Sequence, residues 1–347
     1  MTTISRLVRS LLLFALTILL VWGCNRTLST TPHLTSEPIQ PIQPAANCQS
    51  IEHAAGSTKI CRQPQKIAVL SPYLLDILLS LGEQPAGYAG TSIGQGQFDH
   101  PAHQIPYLGN RIITQPMNLG DRTYPSLEAL ASLKPDLILG ELWQGSQGKY
   151  DLFSQIAPTI LIDDQQGGWQ SNLQLIAKAM GRLDVIQPLM FAREQRMSAA
   201  RQQLNAIVQA NPRILLLSSG DLANGFYAYG QDRSVYSDLL EALGFKMTRL
   251  NDSMLEAIGA APLSLEMLPQ LDTDMLIVLG WDSNPNQNSL AWKRLQQKWN
   301  QTRLLKALPV SQAGRVYFMD GHLTMLRGPI AEAYILNDLL KQLTSKM

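Results

Sequence analysis

The sequence contains SLEALASLKPD at residues 126–136 and a similar stretch, SLEMLPQLDTD, at residues 264–274. Each copy runs directly into an apolar segment that ends in glycine, LILG after the first and MLIVLG after the second. The copies lie roughly 140 residues apart, which is far longer than a solenoid repeat and matches the size of an ordinary domain. The repeat therefore predicts two similar α/β lobes, and two matched lobes imply a cleft between them.

The N-terminal residues are typical of an export signal. Two arginines precede an almost unbroken apolar stretch at residues 11–22, which is shorter than the roughly 20 residues of a membrane span. The sequence VWGC that follows resembles a bacterial lipobox, in which cleavage before the cysteine leaves a thiol that is acylated. Trp22 departs from the usual small or aliphatic residue. We predict a signal peptide over residues 1–23 and lipidation of Cys24, with a simple secretory signal or an uncleaved anchor as alternatives.

Residues 24–47 are rich in Ser, Thr, Pro and Gln and carry almost no charge. Such a composition buries too little apolar surface to fold, so it predicts a disordered tether. Cys48 and Cys61 then remain as a pair around a sequence typical of a small hairpin. In an exported protein this favours a disulfide, which contributes about 3 kcal/mol in the chain-entropy model. A metal site that includes His53 is the weaker alternative.

The overall composition indicates a soluble body with ordinary cores. The chain is 45% hydrophobic and 16% charged, and its formal net charge is +1. A protein that binds nucleic acid through its phosphates carries a basic excess, which this sequence lacks. We therefore predict no nucleic-acid partner.

Strand and helix patterns alternate along the rest of the chain. An apolar strand at residues 66–70 is followed by Ser71 and Pro72, a typical helix start, and Gly82 supplies a left-handed stop. Residues 184–210 contain helix formers without glycine and predict a single helix of about 40 Å that bridges the lobes. The predicted class is α/β, with two Rossmann-like lobes of mainly parallel sheets joined by one long α-helix. In such sheets, ligands bind at the carboxyl ends of the strands.

Several motifs occur in an order that resembles the ferric-siderophore and vitamin B12 binding proteins of bacterial ABC importers. These motifs are QKIAVLSP at 65–72, the first repeated stretch with its strand, APT at 157–159, YG at 229–230 and GRVY at 314–317. The likeness covers roughly residues 48–345. It implies a helical-backbone periplasmic binding protein, with a ligand held between two lobes and delivered to a membrane permease.

The resemblance also gives the repeat a role. In this family one glutamate on the outer surface of each lobe docks onto arginines of the two permease subunits, and the matching residues here are Glu128 and Glu266. A pair of equivalent carboxylates suits a dimeric partner, and charges of this kind mainly set orientation and encounter rate. The alternative is that both are solvated glutamates stabilised by a helix dipole.

Candidate ligand contacts are the arginines, aromatic residues and other side chains that follow predicted strands. Ferric siderophores present anionic oxygens and flat or greasy surfaces, which suit arginines between aromatic walls. The candidates are Tyr73, Arg111, Trp143, Trp169, Tyr229, Arg233, Trp281, His322, Met325 and Arg327.

Other ligands and other classes of protein remain as alternatives. Haem and vitamin B12 are candidates within the same importer class. We predict no direct metal site, because the chain has only five histidines and the His100 and His103 pair lies in a Pro- and Gln-rich loop. A scaffolding lipoprotein fits the anchor but not a cleft. An enzyme is disfavoured, because Gly94 and Gly96 lack the third glycine of a dinucleotide fingerprint and residues 163–164 read as an acidic turn.

The predicted organisation is an N-terminal lobe with its hairpin at 48–183, a bridging helix at 184–211 and a C-terminal lobe at 212–347. We predict an exported monomer in the periplasm or at the outer face of the cytoplasmic membrane. Its membrane contact is the lipid anchor alone, and its partners are an iron chelate and an ABC permease dimer. No cofactor and no covalent chemistry are expected.

Overall fold

A computed structural model describes residues 48–90, 97–146, 148–163, 168–229, 234–248, 260–282 and 290–345. The predicted lipidation site Cys24, the signal and tether segments, and Gly94 and Gly96 lie outside these residues. Within them, no helix is long and apolar enough to cross a membrane.

The described chain begins with the predicted hairpin. Strands β1 (Gln49–His53) and β2 (Gly56–Ile60) pair antiparallel, and a disulfide joins Cys48 to Cys61, as the sequence predicted. Thr58 donates a 2.6 Å hydrogen bond to the carbonyl of Thr159, which fastens the hairpin to the edge of the N-terminal sheet.

The N-terminal sheet has six strands in the order β6-β5-β4-β3-β7-β8. All neighbours are parallel except β5 and β6. Since β3 pairs with β4 on one side and β7 on the other, the chain winds outward in both directions from β3, which leaves a crevice at the carboxyl ends of these strands. The strands are β3 (Ile67–Val69), β4 (Gly87–Gly90), β5 (Met117–Asp121), β6 (Tyr124–Pro125), β7 (Leu137–Glu141) and β8 (Thr159–Ile162).

Helices cover both faces of this sheet. The first of them starts as predicted, with the Ser71 hydroxyl accepting a hydrogen bond from the Leu74 N–H and Pro72 in the first turn. The helices are α1 (Pro72–Ser80), α2 (Pro101–Gln104), α3 (Leu127–Leu133), α4 (Lys149–Ile156) and α5 (Gly168–Met180), with 3-10 turns at Gly109–Arg111 and Leu142–Gly145.

The predicted bridging helix is α6 (Ile186–Ala210), which follows a 3-10 turn at Leu183–Val185. Its 25 residues span about 37 Å at 1.5 Å per residue. Met197, Ala200 and Leu204 are its buried residues, at the spacing of one helix face. This stripe packs into a core shared with residues of both sheets.

The C-terminal sheet also has six strands, in the order β12-β10-β9-β13-β14, with β11 paired to β9. Strands β9, β11, β13 and β14 are parallel, while β10 and β12 run antiparallel to their neighbours. The strands are β9 (Arg213–Ser219), β10 (Phe226–Tyr229), β11 (Lys246–Met247), β12 (Ala260–Leu263), β13 (Met275–Gly280) and β14 (Val316–Asp320). The predicted fold class, two mainly parallel sheets and one long helix, is confirmed.

The remaining helices belong to the C-terminal half. They are α7 (Val235–Ala242), α8 (Ala291–Gln301), α9 (Arg303–Lys306), α10 (Pro309–Gln312) and α11 (Pro329–Thr344), with 3-10 turns at Leu222–Asn224, Leu265–Gln270 and Gly321–Met325. Helix α11 packs against α1, α6 and α7, so it connects the last strand of the chain back to the N-terminal sheet.

The repeated stretches occupy equivalent places in the two sheets. Asp136, at the end of the first copy, accepts hydrogen bonds from the backbone N–H groups of Gln65 and Lys66, just before β3. Asp274 does the same for the N–H of Arg213 at the start of β9. The copies differ in their helices, because the first forms α3 whereas the second forms a 3-10 helix that contains Pro269. Proline lacks the N–H that an α-helix needs.

Candidate ligand-binding site

The carboxyl ends of β3, β7, β13 and β14 bring together side chains from both halves of the chain. These side chains come from α1, from the residues just after β7 and β13, and from the 3-10 turn after β14. Parallel strands end at one edge of a sheet, which is why segments that are far apart in sequence meet there.

Glu141, the last residue of β7, lies at the centre of the site. Its side chain is 1% exposed, and its Oε2 accepts hydrogen bonds from Trp143 Nε1 at 3.0 Å and from Arg327 Nη2 at 2.9 Å. Arg122 Nη2 is 3.8 Å from the other carboxylate oxygen, Oε1. Since the guanidinium of Arg122 also lies 5.0 Å from the Trp143 ring, two arginines and an indole surround one buried carboxylate.

Arg327 connects the two halves of the molecule. It precedes α11, has a positive φ of 55°, and its guanidinium lies 4.9 Å from the ring centroid of Tyr73 on α1. The Tyr73 hydroxyl accepts a 3.0 Å hydrogen bond from Asn172 Nδ2. Burial raises the pKa of Tyr73 to about 12, so its ring faces the guanidinium as a neutral phenol.

The C-terminal side of the site is built around His322. Trp281, directly after β13, packs on the imidazole with ring centroids 4.5 Å apart. His322 Nδ1 lies 3.0 Å from an Asp320 carboxylate oxygen, and Nε2 lies 3.0 Å from the carbonyl oxygen of Asp282. Tyr107 from the N-terminal half donates a short hydrogen bond to the same Asp320 carboxylate. This is a second link between the two halves, beside the Arg327 contact with the buried glutamate.

A third link lies behind the site, at the start of α11. The fully buried Asp76 carboxylate on α1 accepts 2.9 Å hydrogen bonds from the backbone N–H groups of Ile330 and Ala331. Desolvation raises the pKa of Asp76 to about 6, although hydrogen bonds from these N–H groups act in the opposite direction. Gly328 is required here, because a Cβ at that position would lie 2.4 Å from the carboxyl carbon of Asp76.

A pocket of about 470 Å³ opens beside the carboxyl end of β8. It lies next to the site through Leu142, which precedes Trp143, and Asn172, the hydrogen-bond partner of Tyr73. The remaining lining residues are Ala54, Ile162, Asp163, Ser171 and Leu175. The pocket therefore extends the site toward the hairpin.

The structure brings together several of the side chains that the sequence analysis proposed. Tyr73, Trp143 and Arg327 converge around the buried glutamate, and Trp281 stacks on His322. Met325 is half-buried in the same 3-10 turn as His322.

Other candidates lie further away. Trp169 is buried on α5 beneath the guanidinium of Arg193, at 5.4 Å. Arg111 is exposed, and its guanidinium is 5.9 Å from the ring of Tyr334 on α11. Tyr229 is half-buried at the end of β10, and because β10 is antiparallel it pairs with Leu216 in the middle of β9. Arg233 lies outside the described residues.

Sequence reasoning missed Glu141, Arg122, Tyr107 and Asp320. Glu141 and Asp320 each end a strand of the parallel core, so their position directly after an apolar run was a usable signal. Arg122 and Tyr107 lie in connections between elements, and nothing in the local pattern distinguishes them from surface residues.

The two glutamates of the repeat lie on the surface. Glu128 is exposed in the first turn of α3, and Glu266 is exposed in the 3-10 helix of the second copy. The pKa of Glu266 is lowered by hydrogen bonds from its own backbone N–H and from Ser264. Both side chains are therefore accessible to a partner.

This architecture matches a known family. The model of the family described as "Periplasmic binding protein" matches residues 67–323, most of the chain. The chain belongs to the periplasmic binding protein family. It is therefore a substrate-binding protein and not an enzyme, which agrees with the resemblance noted in the sequence.

Two curated relatives of this periplasmic binding protein align over most of their length. The "Probable siderophore-binding lipoprotein YfiY" of Bacillus subtilis is 25% identical over 95% of this chain and 95% of its own. The "Fe(3+) dicitrate-binding periplasmic protein FecB" of Escherichia coli is 24% identical over 84% of this chain and 89% of its own.

Solved structures of similar proteins share the fold. SirA of Staphylococcus aureus, in its complex with staphyloferrin B, superposes with a TM-score of 0.67 and 24% identity over 85% of this chain and 98% of its own. FeuA of Bacillus subtilis with ferri-bacillibactin superposes with a TM-score of 0.66 and 19% identity over 86% of this chain and 98% of its own.

Proposed function

We propose that this protein is the substrate-binding lipoprotein of an ABC importer, and that it captures a ferric-siderophore complex between its two sheets. The observation that carries the proposal is the convergence of the Arg122 and Arg327 guanidiniums, from the two halves of the chain, on one edge of the site. The relatives support it, because their names include siderophore-binding and ferric-citrate-binding proteins.

The chemistry of these side chains suits an iron chelate. Guanidinium groups donate paired, charge-assisted hydrogen bonds to the anionic oxygens that surround a chelated ferric ion. The half-buried rings of Trp143 and Trp281 offer flat apolar walls for the organic part of the ligand. Capture therefore requires positioning and complementary charge, with no bond made or broken and no cofactor.

The lobes of the proposed binding protein are residues 48–183 and 212–347, joined by the bridge at 184–211. A single helix that packs into both lobes restricts their relative movement more than a flexible linker does. The contacts of Arg327 with the N-terminal half and of Tyr107 with Asp320 then hold the cleft in a narrow arrangement. We infer that a ligand binds by replacing some of these contacts with its own.

Delivery requires a partner in the membrane. We propose that Glu128 and Glu266, one in each lobe and both exposed, dock onto basic residues of the two permease subunits. Their equivalent positions in the repeat fit a dimeric permease, and exposed charges of this kind orient an encounter more than they stabilise a complex. The protein itself acts as a monomer in this scheme.

The location follows from the N-terminal segment. We propose that cleavage before Cys24 and its acylation leave the mature protein anchored at the membrane, with residues 24–47 as the tether. Several curated relatives are named as lipoproteins or as periplasmic proteins, which supports an exported location.

The deciding experiment is a fluorescence titration of the chain from residue 48 onward. Trp143 and Trp281 lie at the site, so a bound ferric complex will quench their emission. The panel contains ferric hydroxamates, ferric citrate, ferric catecholates, haem, cobalamin and free metal ions. Sub-micromolar quenching by one iron chelate supports the proposal. Quenching by haem or cobalamin alone would mean that the protein carries a different ligand of the same importer class. The absence of quenching by every ferric chelate would contradict the proposal.

A further inference from the structure

Glu141 places a negative charge where an anion-binding site would be expected to hold only positive ones. Its side chain is 1% exposed, whereas those of Arg327 and Arg122 are 24% and 18% exposed. The carboxylate therefore lies beneath the two guanidiniums, which remain partly open to a ligand. Burying a carboxylate costs free energy unless it is paired, so the arginines and this glutamate depend on each other.

The hydrogen bonds of Glu141 are unevenly divided between its two oxygens. Oε2 accepts from Trp143 and Arg327, while the buried Oε1 has no hydrogen-bond partner among the described residues and has Arg122 Nη2 at 3.8 Å. A buried carboxylate kept only for internal structure normally has both oxygens hydrogen-bonded. The interaction of Oε1 with Arg122 is therefore an electrostatic attraction without a hydrogen bond.

We propose that Glu141 determines the charge of the ligand that the cleft accepts, by cancelling one of the two guanidinium charges that it gathers. This inference rests on the proposed function, since it concerns the same site. Within this cluster, two guanidiniums and one carboxylate leave one excess positive charge. Such a cluster attracts a strongly anionic tricatecholate less than two uncompensated guanidiniums would, so it reduces the preference for that ligand over a neutral or weakly anionic chelate, because attraction grows with the product of the charges.

The test compares ligands that differ in charge. Dissociation constants are measured for ferrichrome, a neutral trihydroxamate, for Fe(III)-citrate and for Fe(III)-enterobactin, a strongly anionic tricatecholate. Glu141→Gln keeps the size of the side chain and an acceptor oxygen but removes the charge. We expect the affinity for Fe(III)-enterobactin, relative to ferrichrome, to rise at least about tenfold in this variant. If the substitution only distorted the site, the affinities for all three ligands would fall together and the affinity for Fe(III)-enterobactin relative to ferrichrome would stay the same.

Arg122→Gln, which leaves Glu141 in place, keeps the inference open to test if Glu141→Gln does not fold. It removes a positive charge and is expected to lower the ratio of the affinity for Fe(III)-enterobactin to that for ferrichrome. The double variant, which removes one charge of each sign, is expected to return this ratio close to the wild-type value. The control is Glu194→Gln, which removes an exposed carboxylate from α6 and should leave the ratio unchanged.

The outcomes separate this inference from the proposed function. If the wild-type protein binds at least one chelate but the ratio does not move in either single variant, the role of Glu141 is overturned while the proposed function stands. The same holds if Glu141→Gln favours the neutral chelate. If the wild-type protein binds none of the three chelates, both are overturned.

Discussion

The buried carboxyl of Asp76 should make the stability of this protein depend on pH in a way that one substitution can isolate. Asp76 is fully buried on α1 and holds the first turn of α11 through the N–H groups of Ile330 and Ala331. Its pKa is raised from 3.8 to about 6 by desolvation. The folded state therefore binds a proton on Asp76 more tightly than the unfolded chain does.

The sign and size of the effect follow from linkage. The favourable contribution of the protonated Asp76 is fully present below pH 3.8 and is lost as the pH rises through about 6. A difference of roughly two pKa units corresponds to about 3 kcal/mol of unfolding free energy, at 1.36 kcal/mol per unit. Asp76→Asn cannot titrate, so it should lack this loss.

The assay is urea unfolding of both proteins at several values between pH 4 and pH 7. Asn sets an NH2 donor against one of the two backbone N–H groups, where the protonated carboxyl of the wild type has a hydroxyl oxygen that can still accept, so Asp76→Asn should be less stable near pH 4. The advantage of the wild type should then shrink by about 2.5 kcal/mol between pH 4 and pH 7, slightly less than the full difference because some of the unfolded chain is already ionised at Asp76 at pH 4, while all other carboxyls cancel in the comparison. An advantage that grows with pH would refute the reasoning, because it would mean that the two N–H bonds and the helix N-terminus outweigh desolvation.

Three other predictions concern the disulfide, the proposed docking residues and the site. Replacing Cys48 and Cys61 by Ser should lower the unfolding free energy by about 3 kcal/mol in the chain-entropy model, and an unchanged melting temperature would contradict this. Replacing Glu128 and Glu266 by Ala should reduce iron uptake by cells with the matching importer while the ligand dissociation constant stays the same; a weaker ligand affinity would argue against docking. Arg327→Ala should weaken binding of the captured ferric chelate about tenfold or more, because a charge-assisted contact is lost.

The last of these predictions needs a matched control. Arg201→Ala removes an exposed arginine that pairs with Glu194 on α6, away from the site. It should leave ligand affinity unchanged, since exposed ion pairs contribute little. An equal loss of ligand affinity in Arg327→Ala and Arg201→Ala would mean that binding depends on the overall charge of the protein and not on contact between Arg327 and the ligand.

Local chemistry explains why much of the fold could be predicted. The Ser71 cap and Pro72 start α1 as their intrinsic preferences dictate, and the disulfide hairpin follows from two cysteines around a turn. The two copies of the repeat nevertheless differ in local structure. The second copy of the repeat forms a 3-10 helix because it contains Pro269, although its residues otherwise echo α3.

The sequence by itself determined the two α/β halves and the long helix between them, because these depend on periodicity, on capping residues and on a repeat visible within the chain, and the order of its motifs was enough to show a resemblance to the family. Only the tertiary structure decided the site. Glu141, Arg122 and Arg327 come from three separated segments, and no local pattern predicts that one carboxylate will lie beside both guanidiniums. Their meeting depends on which strand ends become neighbours and on how α11 packs back onto α1, and those are long-range contacts that the hydrophobic core selects.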